Sequence, residues 1–197
     1  MKVIFLDHDG VICLSENWGS RYKKAHKWMT YGNIQEYSPD ALNELTRPVN
    51  VRFDNFDKKA IKVLNEILEE TGAEIVVSSD WKNWATVEEM GEYYESQGII
   101  KKPIAFTDTK LLDNYDNFPW SPFLDLEQTR SLEIGEYLTS YKSILKWVAI
   151  DDLDMSLRRT EDGEYSWGLN NFVHTPKSNQ GIKQSGIKEK IIKFLND

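Results

Sequence analysis

Short apolar runs alternate with longer amphipathic stretches along most of this chain. The runs are largely apolar and of strand length, which is typical of strands buried on both faces. They lie at 2–6, 73–78, 103–106, 146–150 and 171–174. Apolar residues at helical spacing occur in the intervals near 57–71, 86–97, 127–141 and 185–195. This alternation predicts an α/β fold, a three-layer arrangement in which helices flank a doubly wound parallel sheet.

Polar residues and glycines mark where several of these helices begin and end. Asp57 is expected to cap the helix that Gly72 terminates, because aspartate accepts the first helical N–H groups and glycine readily adopts a left-handed conformation. Thr86 and Glu89 have the spacing of a capping box. Ser185 is expected to cap the final helix.

The length and the composition indicate a single domain with two aromatic-rich insertions. The chain has 197 residues, of which 40% are hydrophobic and 12% aromatic, enough for one sizeable core over residues 1–197. Two segments, about 14–55 and 84–127, do not fit a minimal strand–helix unit and follow predicted strands. We expect these insertions to form small caps over the sheet edge where the strands end.

The charge and the cysteine content narrow the function classes. The net charge is −8 at pH 7, which argues against stable binding of duplex nucleic acid because such binding requires a basic surface. Cys13 is the only cysteine, so an internal disulfide is excluded and a reducing compartment fits. The first residues do not resemble a secretory leader, and no apolar run is long enough to span a bilayer. We therefore expect a cytoplasmic protein with no membrane association.

Two aspartates and a glycine follow the first predicted strand directly. Asp7, Asp9 and Gly10 would lie at the carboxyl end of a buried strand, the edge of an open α/β sheet where ligands bind. Two carboxylates this close suit a divalent cation and leave an oxygen to attack a phosphorus atom. His8, between them, is expected to point away from the site. Aspartate and glycine also fit a plain strand-to-turn transition.

Further polar residues follow the second and the fourth predicted strands. Ser78 and Ser79 come after the second strand, where a hydroxyl and successive backbone N–H groups can hold phosphate oxygens. Asp151 and Asp152 come after the fourth strand, where adjacent carboxylates favour a neutralising cation. Serines and aspartates are also common helix caps, so each pair has an ordinary structural interpretation.

The interval between these two strands also contains a candidate cation. Arg130 begins a predicted helix that leads back to the fourth strand, and a fixed guanidinium there would bind phosphate and offset the carboxylates. Its rivals for this role in the same interval are Lys101, Lys102, Lys110 and Lys142.

In their order, these motifs resemble the four motifs of the haloacid dehalogenase superfamily. The matching residues are Asp7-x-Asp9-Gly10, Ser78, a basic residue at Arg130, and Asp151-Asp152. More narrowly, the segments 76–82, 130–134, 150–152 and 172–175, with the later Gly181-Ile182, resemble the branch found in "Swiss Army Knife" RNA repair proteins. The resemblance spans about residues 2–195, although that branch usually has arginine where this chain has Lys82.

The resemblance implies a phosphatase mechanism for the aspartates. Asp7 would be the nucleophile that forms an aspartyl-phosphate, and Asp9 would protonate the leaving oxygen and then activate water. Mg²⁺ would be held by the Asp7 side chain, the Asp9 backbone carbonyl and Asp152. Asp151 would lie just outside the coordination sphere and support it.

The remaining motif residues would contact the substrate. The resemblance implies that Ser78 hydrogen-bonds the phosphoryl group and that Arg130 balances its charge during transfer. Gly10 and Ser79 are predicted to line the substrate-binding site.

The predicted substrate is a phosphorylated small molecule or a nucleic-acid end, with a preference for nucleotide or nucleic-acid phosphates. Aromatic side chains of the insertions would stack on bases. The residues considered for this role are Trp18, Trp28, Tyr94 and Trp120. Alternatives are a phosphatase of a non-nucleotide metabolite, a non-catalytic binding module of the same fold, and a phosphate-accepting receiver domain. Receivers are shorter and lack the aspartate pair with glycine after the first strand.

Overall fold

The structure is a computed structural model that describes residues 1–31, 47–107, 125–156 and 168–197. The strands within these residues are β1 (Lys2–Leu6), β2 (Glu74–Val77), β3 (Pro103–Phe106), β4 (Lys146–Asp151) and β5 (Phe172–His174). They form one five-stranded parallel sheet in the order β3-β2-β1-β4-β5. The direction in which strands are added reverses between β1 and β4, so a crevice opens at the carboxyl ends of these strands.

Helices pack against both faces of this sheet. The described helices are α1 (Ser20–Tyr31), α2 (Val49–Arg52), α3 (Lys58–Thr71), α4 (Val87–Gln97), α5 (Leu126–Ser140) and α6 (Ile187–Asn196). All predicted strands and helices are present, with differences confined to their terminal residues, whereas α1 and α2 were not predicted. Among the described helices, none has the length and apolar character needed to cross a membrane.

The side chains of β1 alternate between two hydrophobic clusters, as the pleat of a strand requires. Ile4 and Leu6 pack on the side of α3, α4 and α6. Val3 and Phe5 pack on the opposite side, against α5. All four side chains are fully buried, which explains why the run is uniformly apolar. The predicted three-layer, doubly wound α/β fold is confirmed.

Two of the predicted helix caps are present in the structure. The Asp57 carboxylate accepts the backbone N–H groups of Lys59 and Ala60 at 3.1 and 2.8 Å. Thr86 and Glu89 form the reciprocal capping box at the start of α4. Each cap satisfies N–H groups that have no partner inside the helix.

The predicted cap of the last helix is wrong. Helix α6 begins after Gly186, not after Ser185, and no side chain caps it. Gly186 has φ +82°, a left-handed conformation that glycine adopts without strain. The chain therefore turns into α6 through Gly186, and Ser185 remains outside the helix and exposed.

The first predicted insertion is tied to the sheet framework by buried polar contacts. The buried Asp54 carboxylate accepts the backbone N–H groups of Gly19 and Arg21 at 3.0 and 2.6 Å, which caps α1 from a distant part of the chain. The Arg52 guanidinium makes a bidentate ion pair with Glu89, donating to both carboxylate oxygens at 2.8 Å. These contacts connect α1 and α2 to α4.

Much of the second predicted insertion belongs to the sheet framework. Within the range 84–127, residues 87–97 form α4 and residues 103–106 form the edge strand β3. The aromatic residues Tyr93 and Tyr94 are fully buried in the hydrophobic cluster on the face of the sheet that α3, α4 and α6 cover. Residues 108–124 of that range lie outside the described residues.

Candidate functional site

The carboxyl ends of three adjacent strands bring the predicted site residues together. In the register, Leu6 of β1 pairs with Val77 of β2 and Ile150 of β4. The Asp7 backbone N–H donates to the Ile150 carbonyl at 3.1 Å, and the Ser78 N–H donates to the Leu6 carbonyl at 2.9 Å. Asp7 and Ser78 therefore begin the two loops that leave the sheet side by side at the crevice.

Three carboxylates converge beside β1. One oxygen each from Asp7, Asp151 and Asp152 lies within 4.8 Å of the others, and oxygen clusters of this kind suit Mg²⁺. Burial, and then repulsion from Asp151, raises the pKa of Asp7 well above its ordinary value. Burial and the charge of Asp9 raise the pKa of Asp152. The residues present therefore fit a divalent cation, which would neutralise charges that the cluster otherwise holds at close range.

A buried arginine joins three of the surrounding carboxylates. Arg130 Nη1 donates to Asp7 Oδ1 at 3.0 Å and to Asp151 Oδ2 at 2.8 Å, and its Nη2 donates to Asp80 Oδ1 at 3.0 Å. Burial alone would lower the pKa of the guanidinium, but the Asp7 and Asp151 carboxylates outweigh burial and raise it. Arg130 is therefore a fixed cation beside Asp7, held by the first turns of α5.

The rival lysines that the structure describes lie elsewhere. Lys101 pairs with Glu74 at 2.7 Å, and Lys102 pairs with Glu95 at 3.1 Å in an exposed ion pair. Lys142 is exposed just beyond the end of α5. Lys110 lies outside the described residues.

Asp151 and Asp152 are adjacent but differ in how their carboxylates are held. The Asp151 carboxylate is fully buried, with Oδ2 bound to Arg130 and Oδ1 accepting the Leu153 N–H at 2.9 Å. The Asp152 carboxylate lies against Gly10, where a Cβ atom would be 2.2 Å from Asp152 Oδ2. Only glycine therefore leaves room for Asp152 at this position, which also has φ +68°.

The contribution of Gly10 to the site is the space it leaves for Asp152, and not a free N–H group. Its N–H donates to the Cys13 carbonyl at 2.9 Å, so that donor is already used within the turn. Its carbonyl accepts from Thr175 Oγ1 at 3.4 Å.

Two buried hydroxyls lie at the end of β2. Ser78 and Ser79 are almost completely buried, and neither Oγ atom has a hydrogen-bond partner among the described residues. Buried polar atoms are nearly always hydrogen-bonded, so unpartnered hydroxyls at a strand end favour a polar ligand. Phosphoryl oxygens are acceptors of the right kind for both.

Asp9 lies in a different environment from the other carboxylates. The Trp81 indole Nε1 donates to Asp9 Oδ2 at 2.8 Å. Burial raises the pKa of Asp9, and the hydrogen bonds from Trp81 and the Cys13 thiol partly oppose that rise. Trp81 itself is stacked on Phe53 and Phe56, with ring centroids 4.8 and 5.4 Å away.

His8 packs into the same aromatic cluster. It is fully buried, its ring lies 4.8 Å from that of Trp81, and its Nε2 shares a hydrogen bond of 2.6 Å with Tyr94 Oη. Burial, helped by the positive charge of Arg130, lowers the pKa of His8 to about 3, so the ring is neutral at pH 7. The ring therefore belongs to the core, in line with the structural role expected of it.

The aromatic residues considered for base stacking differ in exposure. Tyr94 has no exposed surface, because α4 packs it against His8 in the hydrophobic cluster on one face of the sheet. Its prediction as a stacking residue is therefore wrong. Trp18 is 49% exposed, and Trp28 is partly buried on α1. Trp120 lies outside the described residues.

A second buried ion pair beside the site was not predicted. Lys82 Nζ donates to Glu133 Oε2 and, at 3.1 Å, to Thr107 Oγ1, while the Thr107 hydroxyl donates to Glu133 at 3.0 Å. Glu133 is one helical turn after Arg130, so α5 presents both side chains to the loop that follows β2. This spacing of an acid and a base on one predicted helix was the available signal for Glu133.

The comparisons with known proteins agree with this architecture. The sequence model of the family described as the HAD domain in Swiss Army Knife RNA repair proteins matches residues 3–185. Neither a curated protein nor a solved structure matches the chain. The match covers all the residues that form the site, from Asp7 to Asp152.

Proposed function

Because the chain belongs to the family of HAD domains in Swiss Army Knife RNA repair proteins, we propose that it is a Mg²⁺-dependent phosphoric monoester hydrolase. Membership supports a phosphohydrolase of the HAD type in general. The observation that carries the finer proposal is the buried guanidinium of Arg130, which bonds both Asp7 and Asp151 at the end of β1. A fixed cation beside a strand-end carboxylate suits a phosphoryl group approaching that carboxylate.

The proposed metal site uses two of the carboxylates that converge beside β1, together with one backbone carbonyl. Asp7 and Asp152 would ligate Mg²⁺ through their side chains, and Asp9 through its backbone carbonyl. Asp151, already held by Arg130 and the Leu153 N–H, would stay outside the coordination sphere. When bound, the cation offsets the charge of the carboxylates and of the phosphoryl oxygens.

The proposed reaction uses Asp7 and Asp9 in turn. An Asp7 oxygen attacks phosphorus and forms an aspartyl-phosphate while the bond from phosphorus to the leaving oxygen breaks. Asp9 gives its proton to that oxygen. Asp9 then takes a proton from water as the water attacks phosphorus, which frees Asp7 and restores the protonated Asp9.

Other residues of the site would hold the transferring group. Arg130 would balance the charge on its oxygens, and the Ser78 and Ser79 hydroxyls would donate to them. Support for this comes from the burial of both hydroxyls without partners among the described residues. Gly10 would act by admitting the Asp152 carboxylate, since its own N–H is bound to Cys13.

We propose a nucleotide or a nucleic-acid end as the carrier of the phosphate. The Trp18 indole donates to the Cys13 carbonyl at 3.2 Å, and the same carbonyl accepts the Gly10 N–H at 2.9 Å, so the half-exposed Trp18 ring lies beside the turn that contains Asp9. A base stacked there would contribute about 1–3 kcal/mol to binding. The family's description in RNA repair proteins supports this class, while the net charge of −8 disfavours stable duplex binding.

Phosphate release by the purified protein tests this function. We expect release from nucleotides or from 3′- or 5′-phosphorylated oligonucleotides that requires Mg²⁺, stops with EDTA and is abolished in Asp7→Asn. Far-ultraviolet circular dichroism checks that the variant is folded. Sugar phosphates as the better substrates would overturn the nucleotide proposal, and no release from any phosphate would indicate a non-catalytic module.

A further inference from the structure

We propose that Trp81 is a positioning residue that fixes which oxygen of Asp9 carries the acidic proton. This inference rests on the proposed function, because it concerns the proton that Asp9 gives to the leaving group. Trp81 does not touch the phosphoryl group in this proposal. It acts through Asp9.

A hydrogen bond joins the side chains of Trp81 and Asp9 directly. Trp81 Nε1 lies 2.8 Å from Asp9 Oδ2. An indole N–H can donate but cannot accept, so Oδ2 must be the acceptor in this pair. In a protonated carboxyl group the carbonyl oxygen is a much stronger acceptor than the hydroxyl oxygen, so the indole N–H favours an unprotonated Oδ2. The protonated form of Asp9 therefore carries its proton on Oδ1, the oxygen that Trp81 does not hold.

The orientation of the indole is set by its packing. Trp81 is 6% exposed and nearly parallel to Phe53, with an interplanar angle of 8°. Phe56 stacks on it at 16°, and His8 meets it at 60°. Rings packed in this way prevent the donor from rotating, so the direction of the N–H bond is fixed before a substrate binds.

The chain connects this donor directly to the two buried serines at the end of β2. Trp81 lies in the short 3₁₀ turn Asp80–Trp84, immediately after Ser78 and Ser79. The indole that holds Asp9 and the two unpartnered serine hydroxyls are therefore at most three residues apart in the chain. The Cys13 thiol also reaches the Asp9 carboxylate, but a thiol is a weak donor beside an indole N–H.

The consequence for the reaction is a difference between leaving groups. As the Asp7–phosphorus bond forms and the bond from phosphorus to the leaving oxygen breaks, the Oδ1 proton moves to that oxygen. The Trp81 proton does not move. A basic leaving oxygen needs this proton, whereas a strongly acidic phenol leaves without it. Loss of the Trp81 donor should therefore harm substrates with poor leaving groups selectively.

The test is Trp81→Phe, which keeps an aromatic ring in the stack and removes the N–H group. For phenyl phosphate we expect kcat/KM to fall by about 10-fold, and for 2,4-dinitrophenyl phosphate by less than about 3-fold. Trp84→Phe, in the same turn but 45% exposed, is the matched control and should change neither value. In an Asp9→Asn background, Trp81→Phe should cause no further change in this ratio.

An equal fall for both substrates would overturn the inference, because it would indicate general damage to the site. If the native protein releases no phosphate, the proposed function fails and the positioning role fails with it. If the native protein is active and Trp81→Phe has the same leaving-group dependence, the positioning role is refuted and the proposed function stands.

A second measurement covers the case in which Trp81→Phe does not fold. In ¹⁵N-labelled protein, Asp9→Asn should move the indole N–H resonance of Trp81 and leave that of Trp84 in place. An unmoved Trp81 resonance would show that the indole does not hold Asp9 in solution.

Discussion

Asp7 and Asp9 are one residue apart in the sequence, but they lie on two flanks of opposite character. The charged flank consists of Asp7, Asp80, Arg130 and Asp151, joined by hydrogen bonds between charged groups. The aromatic flank consists of His8, Asp9, Phe53, Phe56 and Trp81, in which stacked rings surround one hydrogen bond to a carboxylate. One short motif therefore supplies both flanks.

The separation arises from the way the chain leaves β1. The strand ends at Leu6, and the N–H groups of Val11 and Ile12 donate to the His8 carbonyl at 3.2 and 3.0 Å. The tight turn keeps Asp7 beside the strand ends and carries Asp9 to the Trp81 indole. Environment can assign different chemistry to two carboxylates, and this contrast supports a nucleophile on one flank and an acid on the other.

Removing the cation of the charged flank is expected to have the largest effect. Arg130→Met would leave Asp7 and Asp151 buried without their partner, so the free energy of unfolding should fall by about 3–5 kcal/mol at neutral pH. Urea unfolding in EDTA measures the loss. Lys102→Met, which breaks the exposed pair with Glu95, is the control and should change little. Similar losses in both variants would contradict a special role for burial of the charged flank.

The two flanks should also respond to acid with opposite signs. Burial, followed by the charge of Arg130, lowers the pKa of His8 from 6.5 to about 3. The unfolded chain therefore binds a proton that the folded chain excludes, and the stability contributed by neutral His8 is present above pH 6.5 and lost as the pH falls towards 3. We expect a loss on the order of 3 kcal/mol by about pH 4 that is absent in His8→Gln.

The carboxylates of the charged flank reverse that slope. The pKa of Asp7 is raised by burial and by Asp151, so its contribution is present below its ordinary value of 3.8 and lost as the pH rises through the folded pKa. We measure the free energy of unfolding in EDTA across this pH range for the native protein and for both variants. The difference between native protein and Asp7→Asn should change with pH in the opposite direction to the difference between native protein and His8→Gln. His26→Gln, on the exposed face of α1, is the control and should follow the native curve. Parallel slopes for the Asp7 and His8 variants would remove the electrostatic contrast between the flanks.

Turnover and metal binding should separate the two aspartates. Asp9→Asn should slow phosphate release by about 10²-fold, because the acid and base assistance is lost. It should leave the affinity for Mg²⁺ unchanged, since Asp9 is proposed to bind the metal through its carbonyl. Asp7→Asn should abolish release and weaken Mg²⁺ binding in calorimetry. Near-native rates in both variants would rule out the proposed mechanism.

The smallest expected effect concerns the space that Gly10 provides. Gly10→Ala would place a Cβ atom 2.2 Å from Asp152 Oδ2 and strain a backbone with φ +68°. The displaced carboxylate should weaken Mg²⁺ binding by about 10-fold, measured by calorimetry. Gly135→Ala is the control, since nothing lies within 4 Å of the added atom on α5. Unchanged affinity in Gly10→Ala would mean that Asp152 does not bind the metal.

The sequence by itself determined the framework and the edge where the site lies. Central strands of a parallel sheet are buried on both faces, so the sequences of β1 and β4 are largely apolar. The caps at Asp57 and Thr86 bond backbone groups only two or three residues away, so the local sequence was sufficient to predict them. Because parallel strands end at one edge of the sheet, the polar residues after β1, β2 and β4 could be expected to meet there.

Only the tertiary structure decided which partner each site residue has. Arg130 meets Asp7 across 123 positions of the chain, and Trp81 meets Asp9 across 72. No local periodicity encodes such contacts, because they depend on sheet register and on how α5 and the loop after β2 pack together. Burial is decided in the same way. Tyr94 resembled a cap aromatic because a large ring has the same local pattern whether it faces solvent or the core, and the packing of α4 placed it inside.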